Sequence, residues 1–172
     1  MVMDLRARLV RAGVELVAAE GPGAVSLREI ARRAGVSHGA PRRYFPTHVE
    51  LLSAIARQGF ADLAATLEAA APDLRSRAHA YARFARDNRG MYELMFRHDL
   101  LRSGRLGLRD ASLPLFGALA AELGPVAAGA LWANVHGVVQ LWLWGSLPLA
   151  TGETAPAALL DAALDAHLGR AS

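Results

Sequence analysis

Ser26-Leu27-Arg28-Glu29-Ile30-Ala31-Arg32-Arg33-Ala34-Gly35-Val36-Ser37-His38-Gly39-Ala40-Pro41-Arg42-Arg43-Tyr44-Phe45 spells two short helices joined by a tight turn. Ser26 and Glu29, three residues apart, have the spacing of a capping box and mark where the first helix begins. Leu27, Ile30, Ala31 and Ala34 fall at i, i+3, i+4 and i+7, an apolar stripe that leaves Arg28, Arg32 and Arg33 on the other face. Gly35 suits a left-handed C-terminal cap, Val36 plugs the corner, and Ser37 supplies an oxygen to cap a second helix. That second helix is expected to carry His38, Gly39, Arg42 and Arg43 outward, with small residues in its first turn that let the backbone approach another surface. Such a helix enters a DNA major groove. Pro41, at its fourth position, removes the bond to the Ser37 carbonyl and stiffens the entry turn.

Outward from this stretch, residues 4–20 read as a helix with Leu5, Leu9, Ala12 and Leu16 on one side, stopped by Gly21-Pro22-Gly23. After Pro46, Thr47 caps a long helix expected from His48 to Ala71. Further helices are expected over 73–88, 108–123, 126–147 and 154–169, and Arg97 to Gly107 reads as a flexible loop. The fold class is therefore all-α: a three-helix head over residues 1–47, then a helical domain over 48–172.

Charge is unevenly spread. Residues 1–50 hold eight arginines against five acidic groups, whereas Asp110 onward holds five acidic groups against Arg170 alone. One end of such a chain suits a polyanion. The chain has no cysteine, which excludes disulfides, thiolate metal sites and a cysteine nucleophile. It also has no Gly-x-Ser-x-Gly elbow, His-Glu-x-x-His, phosphate-binding glycine loop or clustered carboxylates, so no catalytic residue, metal site or cofactor is expected. The first helix, with Asp4, Arg6, Arg8 and Arg11, does not read as a secretory signal, and a cytoplasmic location is expected.

Between Glu122 and Glu153 no side chain is formally charged, and Val126 to Leu147 is long enough to span a membrane. Asn134, His136 and Gln140 lie mid-span and no basic residues flank it, so a covered helix of a water-soluble domain is the preferred reading. Trp132, Val135, His136, Val139 and Leu143 form one side, expected to face the domain core. Asn134, Gly137, Val138, Leu141 and Gly145 form the other, expected to face a second copy of the chain across an interface from residues 126 to 168.

The segment Ser26–Phe45 with Pro46-Thr47-His48-Val49-Glu50-Leu51-Leu52 resembles the DNA-binding part of the TetR family of bacterial transcriptional regulators. Ile-Ala-x-x-Ala-Gly-Val-Ser, the Tyr44-Phe45 pair and the closing Leu-Leu carry the resemblance over residues 5–55. Trp132-x-x-x-His136-Gly137 also resembles a C-terminal subtype of the family named for Trp, His and Gly. The resemblance implies a homodimer on a double-stranded DNA operator, with Arg28, Ser37, His38, Gly39, Arg42, Arg43, Tyr44 and His48 as DNA contacts. An aromatic is usual where Arg42 stands and a lysine where His48 stands. Tyr44 is expected to give its hydroxyl to a phosphate while Phe45 is core. Phe84, Met91, Met95, Phe96, Trp132 and His136 are candidates for a largely apolar effector pocket with one polar handle. The competing readings are a DNA-binding protein with a filled core and no effector, and a membrane-tethered DNA-binding protein.

Overall fold

A computed structural model describes residues 4–169, and every regular element among them is helical. The α-helices are α1 (Leu5–Glu20), α2 (Leu27–Arg33), α3 (His48–Glu68), α4 (Leu74–Asp87), α5 (Arg89–Met95), α6 (His98–Ser103), α7 (Leu108–Leu123), α8 (Pro125–Leu143), α9 (Ser146–Thr151) and α10 (Ala157–Leu168). Short 3-10 turns occupy Pro22–Ala24, Ala40–Arg43 and Arg105–Gly107. The all-α expectation holds. Arg170, the lone late cation of the sequence, lies outside the described residues.

The described chain divides into two compact units, 4–62 with 88–112, and 63–87 with 113–169. In the first, Leu9, Leu16 and Val17 of α1 meet Ile30 and Ala31 of α2, Phe45, and Leu51, Leu52 and Ile55 of α3, all essentially buried. Burying each large side chain contributes on the order of 1.5–3 kcal/mol, so a small head gains a core from few residues. Gly13 lets α1 and α3 approach: a Cβ there would meet Ile55 Cγ1 at 2.7 Å. Gly90 does the same for α5, whose backbone lies against the Val17 carbonyl. Tyr92, Leu94 and Met95 extend the core, and Phe60 meets Phe96 edge-on at 5.6 Å.

Residues 97–107, expected as a flexible loop, instead hold α6 and a 3-10 turn. Leu100 is fully buried and anchors the segment. Arg57 donates to the Leu106 carbonyl at 2.6 Å, and Arg109 donates to the carbonyls of Leu101 and Arg102 at 3.1 and 3.0 Å. The order comes from partners distant in sequence, which local composition does not reveal.

In the second unit α8 packs on α10, α4 and α9. Ala128, Leu131, Val135 and Val139 of α8 are buried with Leu160, Ala163 and Leu164 of α10 and Tyr81, Phe84 and Ala85 of α4. Arg75 clasps Asp161 and Asp165 of α10 at 2.5 Å each, and His79 Nε2 lies 2.9 Å from Asp161. The expected helix over 126–147 ends earlier, at Leu143, because Gly145 turns the chain at φ +81° into α9. Of the predicted outward side of α8, Asn134 and Leu141 are exposed, and its neighbours Val126 and Trp144 are exposed at 86% and 63%.

Candidate nucleic-acid interface

Helix α2 starts where the sequence places it. The Ser26 hydroxyl accepts the Glu29 N–H at 3.2 Å. The reciprocal half of the expected capping box is absent, because the Glu29 carboxylate goes to charged partners instead: Arg32 donates to it at 2.9 and 2.6 Å and Arg33 at 2.9 Å. Charge-assisted bonds outcompete a backbone amide for the same oxygens. Those two guanidinium groups hold the Glu29 carboxyl at about 2, well below its ordinary value. Arg33 also pairs with Glu20, tying α2 to the end of α1.

The C-terminus of α2 closes as a Schellman motif. Val36 N–H reaches the Ala31 carbonyl at 3.0 Å and Gly35 N–H the Arg32 carbonyl at 3.2 Å, with Gly35 at φ +65°. Arg8 of α1 donates to the next free carbonyl, Ala34, at 2.6 Å. This corner fixes where the following segment leaves α2.

That segment differs from expectation. Residues 37–44 form no α-helix but a single 3-10 turn, Ala40–Arg43, and the Ser37 side chain caps nothing. The reason is Pro41. Without an N–H it cannot bond the Ser37 carbonyl, which accepts from Ala40 at 3.0 Å instead, and the Pro41 carbonyl then takes both Tyr44 at 3.0 Å and Phe45 at 2.8 Å. One tight turn replaces the first two turns of a recognition helix. Pro41 and Phe45 are buried beneath it, and the Arg6 guanidinium lies over the Phe45 ring at 5.5 Å.

All eight candidate DNA contacts, Arg28, Ser37, His38, Gly39, Arg42, Arg43, Tyr44 and His48, are exposed. The arginines of the head divide by partner. Arg8, Arg32 and Arg33 are engaged within the head, whereas the guanidinium groups of Arg28, Arg42 and Arg43 have no partner among the described residues. Three unpaired cations on one small unit form a surface that offers forked donors to an external anion. His48 differs from the other seven: its Nε2 lies 2.8 Å from the Val25 carbonyl and joins the start of α3 to the chain before α2. Because a carbonyl only accepts, Nε2 carries the proton in that bond.

The start of α3 carries a capping box that our sequence reading passed over as a simple Thr47 cap. Thr47 N–H donates to Glu50 at 3.0 Å and Glu50 N–H to the Thr47 hydroxyl at 3.2 Å. Thr47-x-x-Glu50 was the available signal. Arg105 adds a bond to the other Glu50 oxygen at 3.4 Å.

The six candidate pocket residues fall in different units. Met91, Met95 and Phe96 belong to the first, where the two methionine sulfurs cover Gly59 and Phe96 lies 4.9 Å from Tyr92. Phe84, Trp132 and His136 belong to the second, where Trp132 stacks on His136 at 5.3 Å. Tyr81, absent from the expected set, joins them: its hydroxyl lies 2.7 Å from His136 Nδ1 and its ring meets Trp132 edge-on at 5.3 Å. Burial holds the His136 imidazole below its ordinary value, so it is neutral at pH 7.

Two family models match the chain. One, of bacterial regulatory proteins of the tetR family, covers residues 9–55, and the other, a tetracyclin repressor-like C-terminal domain, covers residues 74–167, more than half of the chain. The chain belongs to the TetR family. Solved structures share its fold. A protein with unknown function from Rhodococcus sp. RHA1 is 26% identical with a TM-score of 0.67, covering 96% of this chain and 94% of that one. The multidrug binding protein EbrR, complexed with proflavin, is 25% identical with a TM-score of 0.62, covering 93% and 99%. A member of the TetR family from Streptomyces coelicolor A3, at 23% identity and a TM-score of 0.64, covers 94% and 96% and shares the fold. No curated protein matches the chain at a significant level. The TetR-family chain is thus a DNA-binding transcriptional regulator.

Proposed function

We propose that this regulator is a cytoplasmic, homodimeric repressor without catalytic activity, released from its operator by a small, largely apolar effector. The observation that carries the DNA reading is the unpaired state of Arg28, Arg42 and Arg43 on the head. Arg42 and Arg43 are the exposed last two residues of the recognition turn, and a guanidinium fork fits the O6 and N7 acceptors of guanine. Arg28, in the first turn of α2, and Tyr44 serve as phosphate contacts that set register. Ser37, His38 and Gly39 give a close backbone approach, and His48, whose Nε2 is spent on the Val25 carbonyl, donates to a phosphate from Nδ1 only as an imidazolium.

Homodimerisation is supported by the uncovered side of α8, with Val126, Leu141 and Trp144, together with Leu149 of α9 at 90% exposure. Exposed apolar area of this kind marks an interface. Helix α8 is also long and apolar enough to cross a membrane. A soluble dimer is the better account, since Asn134 bonds His167 of α10 at 3.0 Å and His136 bonds Tyr81, polar ties that a lipid-facing helix does not need.

For the effector, Phe84, Trp132 and His136 with Tyr81 provide aromatic faces and a neutral imidazole, a fitting lining for a flat apolar molecule. The likeness to the Trp-His-Gly subtype gains a physical basis from the Trp132–His136 stack. Met91, Met95 and Phe96 are the remaining candidates. The likeness to the multidrug binding protein EbrR, which binds proflavin, makes polycyclic aromatic compounds the first class to screen. Helix α3, which contributes residues to both units, is the covalent route by which occupancy shifts the population of DNA-competent heads. Selection of bound fragments from randomised duplexes tests the reading. The expected result is a pseudo-palindrome with half-sites about one helical turn, roughly 34–36 Å, apart. Enriched fragments with no shared motif would contradict it.

A further inference from the structure

Apart from the recognition turn, the head carries a second feature with the chemistry of a ligand site. Between α1 and α3 lies a cleft of about 640 Å³, walled by Ala7, Val10 and Val14 on one side and Ala54 and Ala61 on the other. Both walls are single helix faces, since 7, 10, 11 and 14 follow helical spacing on α1 and 54, 57, 58 and 61 on α3. The helices meet through Gly13 and Ile55, and among the side chains that line the cleft beside that contact are Ala7, Ala54 and Ala61, which are too small to fill it. The trough therefore stays open. Its size is within the range of small-molecule sites, about 300–1,000 Å³.

Cations also line the cleft: Arg6, Arg11 and Arg57, with Gln58 and Asp62. Each guanidinium has five N–H donors and spends only part of them within the protein. Arg57 gives Nη1 to the Leu106 carbonyl, Arg11 gives Nε to Glu15 at 3.0 Å, and Arg6 lies over the Phe45 ring. Glu15 offsets part of the Arg11 charge and Asp62 part of the rest, so the excess is positive but small. A DNA phosphate would use the arginines and leave the apolar walls idle. A neutral or cationic apolar molecule would use the walls and leave the arginines idle.

We propose that this cleft binds an organic anion with an apolar body, such as an alkyl or aryl carboxylate, its anionic group held by Arg57 with Arg6 or Arg11 and its body against Val10, Val14 and Ala61. This site is on the DNA-binding head and is independent of the effector reading above, which concerns Tyr81, Phe84, Trp132 and His136.

Methyl-resolved NMR of the full chain, titrated with decanoate and separately with decyltrimethylammonium, tests the assignment site by site. Decanoate is expected to shift the methyl signals of Ala7, Val10, Val14 and Ala61 saturably, with the cation binding at least about tenfold more weakly, a difference of about 1.4 kcal/mol. Ala61→Trp, which fills the trough from an exposed position, and Arg57→Ala should each weaken decanoate by about tenfold or more while helical circular dichroism is retained. Absence of saturable shifts at those methyls, equal binding of the cation, or unchanged binding in a folded Ala61→Trp protein would each overturn the proposal.

Discussion

Gly90 shows how a single residue positions an element. A Cβ at this position would lie 2.7 Å from the Val17 carbonyl oxygen, and that oxygen belongs to the backbone of α1, which has no rotamer by which to yield. Gly90→Ala is expected to cost about 1–3 kcal/mol in denaturant unfolding, as overpacking does. Ser53 gives the opposite sign. Its hydroxyl is fully buried in α3 and has no hydrogen-bond partner among the described residues, so Ser53→Ala is expected to leave stability unchanged or raise it by up to about 1 kcal/mol. Glu29 sets a pH dependence. Its folded carboxyl titrates at about 2, below the ordinary value of 4.5, so its contribution is complete above about pH 4.5 and is lost as pH falls toward 2. Melting temperatures of wild type and Glu29→Gln should therefore differ at pH 6 and converge near pH 2; a gap that stays constant across that range would remove Glu29 from the account.

Among elements, α2 and its corner were legible in the sequence because every determinant is local: the Ser26 oxygen, the apolar stripe and Gly35 lie within ten residues. Gly35→Ala, at φ +65°, should cost about 1–2 kcal/mol for that reason. The recognition segment was legible as exposed and cationic, but the sequence indicated a second helix where the chain forms a 3-10 turn. Pro41 does more than remove one bond and stiffen the entry turn: it reorganises the carbonyls of Ser37 and Pro41 together. Pro41→Ala should restore a donor to Ser37 and lengthen this helix, read as added protection of residues 41–44 in amide hydrogen exchange. Helix α6 and the turn at 105–107 were not legible, since their order rests on Arg57 and Arg109 reaching carbonyls that no periodicity announces. Tyr81 was missed as the partner of His136 because fifty-five residues separate them.

At the scale of the molecule, the charge asymmetry and the uncharged helix were both visible in the sequence, and they lead to the claims that one end engages DNA and the other a second copy. Val138→Arg or Leu141→Arg should convert a dimer into monomers or aggregates in sedimentation experiments, while a wild-type protein that sediments as a monomer at micromolar concentration would remove the dimer. The residues that form the head were readable in outline, but which of its arginines are free for DNA was not, because pairing depends on side-chain reach: Arg32 and Arg33 are held by Glu29 and Glu20, and Arg42 and Arg43 have no partner among the described residues. That partition is the central claim, and an anisotropy titration of the selected operator across a salt series tests it most directly. Arg43→Ala should cost about 1–3 kcal/mol at the operator, or lower the salt slope by about one unit if Arg43 holds a phosphate, with Arg32→Ala leaving both quantities near wild type. Equal losses for Arg32→Ala and Arg43→Ala, or no loss for Arg43→Ala in either quantity, would contradict the account.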